Sequence, residues 1–128
     1  MTDELMYLSW VLGIQLVMWV PYVLNRILIR GLWDTLGYPE NYPASAKWAE
    51  RLQAAHYNSV ENLVVFSALV LMAHVTSISN ETTLLACHAY FWARLFFVIS
   101  YTFAIPLGRT IAFAAGWICQ IVLLLEII

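Results

Sequence analysis

The run Arg51-Leu-Gln-Ala-Ala-His-Tyr-Asn58-Ser-Val-Glu61-Asn62 sets ionised and amide side chains inside an otherwise apolar stretch, Glu50 to Val75. At about 100° per residue, Arg51, Asn58, Glu61 and Asn62 fall within about a third of a helix circumference, so one face is polar and the rest apolar. A charge in the middle of a bilayer costs at least about 2.5–3.5 kcal/mol, so such a face implies a partner or a function. Further along, Tyr90, Arg94, Phe97 and Tyr101 share one helical face, and Arg109 follows just beyond Pro106. Arg26 and Arg30 close the first apolar run. Guanidinium forks bind carboxylates through paired hydrogen bonds, and Glu61 can take an amine. Several arginines beside one carboxylate therefore suit a small ligand carrying carboxylates and an ammonium group. A guanidinium or tyrosine hydroxyl beside a bound thiol favours the thiolate, which is the nucleophilic form.

The same residues admit a structural reading. Glu61 and Arg94 can form a neutralised pair within the membrane, and Asn58 and Asn62 can hold helices together by hydrogen bonds. His56 falls on the opposite side of its helix from Asn58 and Glu61, which points to packing. His74 and His88 give no metal-ligand spacing, and no metal motif is present.

These residues must be positioned by membrane-spanning helices. The chain is 62% hydrophobic and 11% charged, against about 25% charged for an ordinary soluble domain. Long apolar runs separated by short polar ones indicate helical spans, and the short alternating segments of a β-barrel are not visible. The pattern predicts one domain over residues 1–128, an all-α antiparallel four-helix transmembrane bundle with spans at about 5–29, 52–75, 83–105 and 109–128. Pro21 is expected to kink the first span toward its C-terminal end. Residues from Arg30 to Glu50 form the one substantial loop, rich in aromatic side chains that favour the headgroup region, and read as a short amphipathic excursion along the membrane surface. Ser79 or Asn80 can cap the third span, and Pro106 and Gly108 end it. The N-terminal MTDELMY is acidic and no small-residue cleavage site follows the first run, so that run reads as a retained helix. Cys87 and Cys119 fall inside spans and read as buried free thiols. The net charge of −2 argues against nucleic acid as a partner.

Charge placement gives the spans a direction. Arg26, Arg30, Lys47 and Arg51 flank the first loop, Arg109 begins at the third, and Arg94 lies in the half of its span that approaches the third. Asp3, Glu4, Glu81 and Glu126 mark the other side, which has no Lys or Arg. By the positive-inside rule, loops one and three are cytoplasmic and both termini lie outside.

The helix-two run from Arg51 to Asn62 resembles the signature of the MAPEG family, membrane-associated proteins in eicosanoid and glutathione metabolism. The later run Arg94-Leu-Phe-Phe-Val-Ile-Ser-Tyr101, followed by Pro106 and Arg109, resembles the third-helix pattern of that family and the arginine beyond it. The likeness covers nearly the whole chain and implies a homotrimer of four-helix bundles in contact with lipid, with glutathione as cosubstrate bound between subunits near the cytoplasmic face. By position, Asn58 and Glu61 match residues that hold glutathione, and Tyr101 matches a tyrosine at the site. Arg109 matches the thiolate-stabilising arginine, Arg94 the third-helix arginine, and Arg26 or Arg30 a first-helix arginine. The chain departs from the pattern at Ala54, where the family carries a glutathione-binding arginine, and at the aromatic or histidine position three after the third-helix arginine, which is here Phe97 and cannot hydrogen-bond. Arg51 matches a more peripheral arginine. These departures are those of a divergent bacterial-type branch, which implies a bacterial inner-membrane location.

The resemblance implies a glutathione-dependent transferase or peroxidase acting on lipophilic electrophiles or lipid peroxides. The alternative is a non-enzymatic trimeric membrane protein that binds lipid or a partner protein, its polar face serving as structural glue. A proton or ion pathway fits Glu61 but little else, because the first and fourth spans contribute few polar residues.

Overall fold

The first apolar run folds as two nearly continuous helices, α1 (Asp3–Val17) and α2 (Trp19–Arg30), joined at Met18. The computed structural model describes all 128 residues and adds α3 (Leu32–Leu36), α4 (Lys47–Val75), α5 (Glu81–Thr102) and α6 (Gly108–Ile127). Asp3–Arg30, α4, α5 and α6 are each long and apolar enough to cross a membrane. The first span is interrupted at Met18, near its middle, rather than at Pro21. The reason is steric: a proline ring crowds the carbonyl four residues back, here Val17, so the distortion appears a turn before Pro21.

Helix ends differ from the pattern-based bounds wherever polar groups rather than hydropathy decide them. α4 starts well before its apolar run, at Lys47, where Asn25 Oδ1 accepts the Ala46 N–H at 3.0 Å and ties the start of α4 to α2. α5 starts at Glu81 because Asn80 and Thr83 form a reciprocal capping box. It ends at Thr102, three residues short of expectation. The chain turns there through Ala104 at φ +55°, with Ile105 N–H donating to the Ser100 carbonyl at 2.9 Å and Ala104 N–H to that of Tyr101. This is a Schellman closure with alanine where glycine is usual. α4 closes the same way through Ser77 at φ +59°.

The bundle core falls into two clusters along its length. One joins Leu8, Val11, Phe66, Val70, Tyr90 and Leu123, with the rings of Phe66 and Tyr90 stacked 3.8 Å apart. The other joins Met18, Tyr22, Leu52, Ala55, Phe97 and Ala112, nearer the first and third loops. Cys87 and Cys119 are buried free thiols. At the end that carries the termini, Glu4 is buried and accepts from Ser79 and Thr83 at 2.8 Å each, while Asn80 donates to Glu126 at 2.9 Å. The buried carboxylate of Glu4 is thus hydrogen-bonded, as burial demands.

α6 approaches α5 closely through Gly108, Ala112 and Gly116, spaced by four so that they line one face. A Cβ on Gly108 would stand 2.6 Å from Ser100 Oγ and 2.9 Å from Ser100 Cβ. That contact sets how near the start of α6 comes to the end of α5. It also fixes the walls of the hollow described next.

Candidate functional site

The start of α4, the end of α5 and the start of α6 meet at one end of the bundle. Arg51, in the second turn of α4, donates from Nε to the Thr102 carbonyl at 2.9 Å. Thr102 is the last residue of α5, whose final carbonyls lack partners within the helix and carry its negative dipole end, so a guanidinium is well placed there. Beside it lies a hollow of about 380 Å³ walled by Arg51, Ser100, Tyr101, Leu107, Arg109 and Thr110. A second hollow, of about 350 Å³, shares Tyr101, Arg109 and Thr110 and is completed by Asn58, Phe97 and Phe113. The two hollows adjoin, sharing Tyr101, Arg109 and Thr110, with Arg51 lining the first and Asn58 the second. Each part lies within the range of about 300–1,000 Å³ typical of small-molecule sites.

The cleft is cationic and uncompensated. Arg109 places its guanidinium carbon 4.6 Å from the centre of the Tyr101 ring, a cation–π contact that holds it at the mouth. The one ion pair of the chain is Lys47–Glu50, exposed on the first turn of α4, so no carboxylate faces Arg51 or Arg109. Glu61, one turn beyond Asn58, is exposed and unpaired.

Arg94 stands behind this cleft, not in it. It is 3% exposed and donates from Nη2 to Asn58 Oδ1 at 3.1 Å and to Ser59 Oγ at 2.8 Å. Its guanidinium carbon lies 4.1 Å from the centre of the Phe97 ring, while Nε and Nη1 have no hydrogen-bond partner within the chain. The Glu61–Arg94 pair that spacing allows is not formed. One turn further along α4, Asn62 Oδ1 accepts from the Tyr90 hydroxyl and from Gln120 Nε2.

Arg26 and Arg30 are not gathered with Arg109 in the single chain. Arg26 donates to Gln53 Oε1 at 3.1 Å, on a different face of α4 from Asn58, and Gln53 passes the bond to the Tyr57 hydroxyl. Arg30 is spent on the first loop, donating to the Pro43 carbonyl and lying 3.7 Å from the centre of the Tyr42 ring. His56 is hydrogen-bonded to the Tyr22 hydroxyl at 2.8 Å, away from the cleft. Of the candidates read from the sequence, the structure brings together Arg51, Asn58, Tyr101 and Arg109, with Arg94 in support. Ser59, Ser100 and Thr110 belong to the same assembly and were not singled out. Ser59, buried polar in an apolar run, carried a legible signal; Ser100 and Thr110 did not, because only the turn between α5 and α6 brings them to the cleft.

A further hollow of about 280 Å³ at the opposite end is lined by Thr2, Glu4 and His74 among others. It contains no arginine or lysine, and the carboxylate of Glu4 is already engaged by Ser79 and Thr83.

Four helices able to span a bilayer, with a cationic polar cleft built from the ends of three of them, define a helical integral membrane protein with a small-molecule-sized site. The chain belongs to the MAPEG family, whose sequence profile matches residues 6–128, essentially its whole length. No curated protein and no solved structure gives a significant match.

Proposed function

We propose that this MAPEG protein uses glutathione to conjugate hydrophobic electrophiles or to reduce lipid peroxides. One observation carries the reading: Arg51 and Arg109 flank a single cleft that no carboxylate of the chain neutralises. Those guanidinium groups fit the two carboxylates of glutathione and Asn58 its peptide carbonyls, while Glu61, exposed one turn along α4 outside the two hollows, would take its ammonium group from that face. Bound there, glutathione supplies the thiol nucleophile. Arg109 contributes a fixed cation and Tyr101 a hydroxyl to stabilise the thiolate, and Phe97 and Phe113 offer an apolar wall to the lipophilic partner. In conjugation of a nitroaryl halide a sulfur–carbon bond forms, the carbon–halogen bond breaks and halide leaves, and the thiol proton passes to solvent. In peroxide reduction two thiols are oxidised to a disulfide while the peroxide becomes alcohol and water.

Family membership also supports a homotrimer, and a physical argument points the same way. Glu61 stands at the middle of the 29-residue α4 on an exposed face. Facing lipid it would cost at least about 2.5–3.5 kcal/mol, and a neighbouring subunit that covers it removes that cost. The concentration of all Lys and Arg toward loops one and three supports a cytoplasmic cleft with both termini outside, and the departures from the family pattern at Ala54 and Phe97 support a bacterial inner-membrane setting.

The test is turnover of a nitroaryl halide, and of a lipid hydroperoxide, by the purified protein with millimolar glutathione. Glutathione-dependent turnover together with a thermal shift on adding glutathione supports the reading; absence of both overturns it. The second reading, a non-enzymatic membrane protein, is favoured by the inward commitment of Arg94, Asn58 and Asn62 to hydrogen bonds within the bundle. It would gain if the protein neither turns over nor binds glutathione while its assembly stays intact.

A further inference from the structure

The orientation of an asparagine amide is ambiguous unless a neighbour can act in only one sense. Arg94 is such a neighbour. A guanidinium has five N–H donors and no acceptor, so the Asn58 atom 3.1 Å from its Nη2 must be the carbonyl oxygen. The Asn58 NH2 group is then the part not turned to Arg94, and Asn58 lines one of the hollows. The second amide is fixed through a different anchor. Gln120 Nε2 lies 3.2 Å from the Asn62 backbone carbonyl, which can only accept, so that atom of Gln120 is its nitrogen. The same nitrogen lies 3.0 Å from the Asn62 side chain, which must therefore present oxygen to it. The Tyr90 hydroxyl, bonded to the same oxygen, is then a donor as well. Neither amide nitrogen, of Asn58 or Asn62, has a partner within the chain, and neither is a fully enclosed atom.

We infer that Arg94 and Gln120 are positioning residues that lock both α4 asparagines with oxygen inward and NH2 outward. The outward face of α4 therefore reads donor, acceptor, donor through Asn58, Glu61 and Asn62. The group of any bound molecule that meets Asn58 is an acceptor, a carbonyl or a carboxylate. Ser59 shares Nη2 of Arg94 with Asn58 and keeps the guanidinium in register, at 1% exposure itself. Arg94 thus acts through Asn58. As applied to glutathione the inference rests on the proposed function, but the locking itself does not.

The experiment has two arms, both on the full-length protein in micelles. In 15N-asparagine-labelled protein without ligand, the side-chain signals are assigned with Asn58→Asp and Asn62→Asp. Each should give one NH2 pair exchanging readily with water. Arg94→Gln, whose amide can donate or accept, should double or broaden the Asn58 pair and leave that of Asn62 single. Gln120→Leu should do the reverse, and Arg94→Lys, again donor-only, should restore a single Asn58 pair. In the second arm glutathione is titrated calorimetrically. Arg94→Gln should raise its Kd about tenfold or more, the worth of one hydrogen bond to a charged or polar acceptor, and Arg94→Lys should recover most of that loss. An Asn58 NH2 protected from exchange, or unchanged by Arg94→Gln in the folded protein, overturns the locking. Should glutathione not bind the wild type at all, the proposed function fails, while the spectroscopic arm still decides the locking.

Discussion

Single side chains carry the site, and each has a distinct duty that substitution can separate. Arg109 is held at the cleft mouth by the Tyr101 ring and faces no acid. Replacing it by alanine should lower kcat for glutathione conjugation by about a hundredfold, the usual worth of a fixed charge-stabilising donor, with little change in thermal stability. Steady-state kinetics beside a melting curve will check this, and unchanged kcat would remove Arg109 from the chemistry. If glutathione is the cosubstrate as proposed, Glu61→Gln should instead raise its KM about tenfold with kcat nearly kept, because the proposed charge-assisted contact to the ammonium group would be lost. At this scale the sequence was only partly legible. Spacing put Arg51, Asn58, Glu61 and Arg94 on facing helix surfaces, and it allowed Glu61–Arg94 as readily as Asn58–Arg94. The choice depends on side-chain depth: Arg94 reaches Asn58 and Ser59 inside the bundle, while Glu61 turns to its outer face.

The helix ends hold the cleft open, and two of their residues make opposite predictions. Ala104 adopts φ +55°, a left-handed conformation that costs an ordinary residue about 1–2 kcal/mol. Ala104→Gly relieves that cost but adds unfolded-state entropy, so the net expectation is stabilisation by about 0.5–1 kcal/mol, seen as a raised midpoint in thermal unfolding. Gly108→Ala should do the reverse. Its added Cβ meets Ser100 Oγ at 2.6 Å and Cβ at 2.9 Å, so α6 must move off α5 at a cost of about 1–3 kcal/mol. Ser100 and Arg109 both line the cleft, so this variant should lose activity beyond its loss of stability; full activity in the folded fraction would show that the α5–α6 spacing does not shape the site. Helix existence was legible because apolar runs of this length have one stable solution in a bilayer. Helix bounds were not. α5 stops at a left-handed alanine that carries no sequence marker, and the break in the first span falls at Met18, about a turn before the proline.

At the scale of the whole molecule, one chain leaves the Glu61 carboxylate exposed at the midpoint of a span. The trimer proposed to cover it should appear in detergent as three chains of 14.6 kDa by light scattering with the micelle subtracted. A stable monomer would contradict it. What the sequence determined by itself is what the bilayer as solvent enforces: four apolar helical runs, one polar face on the second, and basic residues toward one end. Each of these follows from the cost of polar atoms in hydrocarbon, which a residue pattern states directly. Only the tertiary structure decided which polar groups meet. The rotation and depth of each helix are set by close small-residue contacts such as Gly108 against Ser100, and by closures such as Ala104. Those contacts put Arg94 behind Asn58, set Arg51 and Arg109 on one cleft, and left Arg26 and Arg30 on other surfaces. A difference of one residue in helix register would exchange those partners while leaving the hydropathy of the chain untouched.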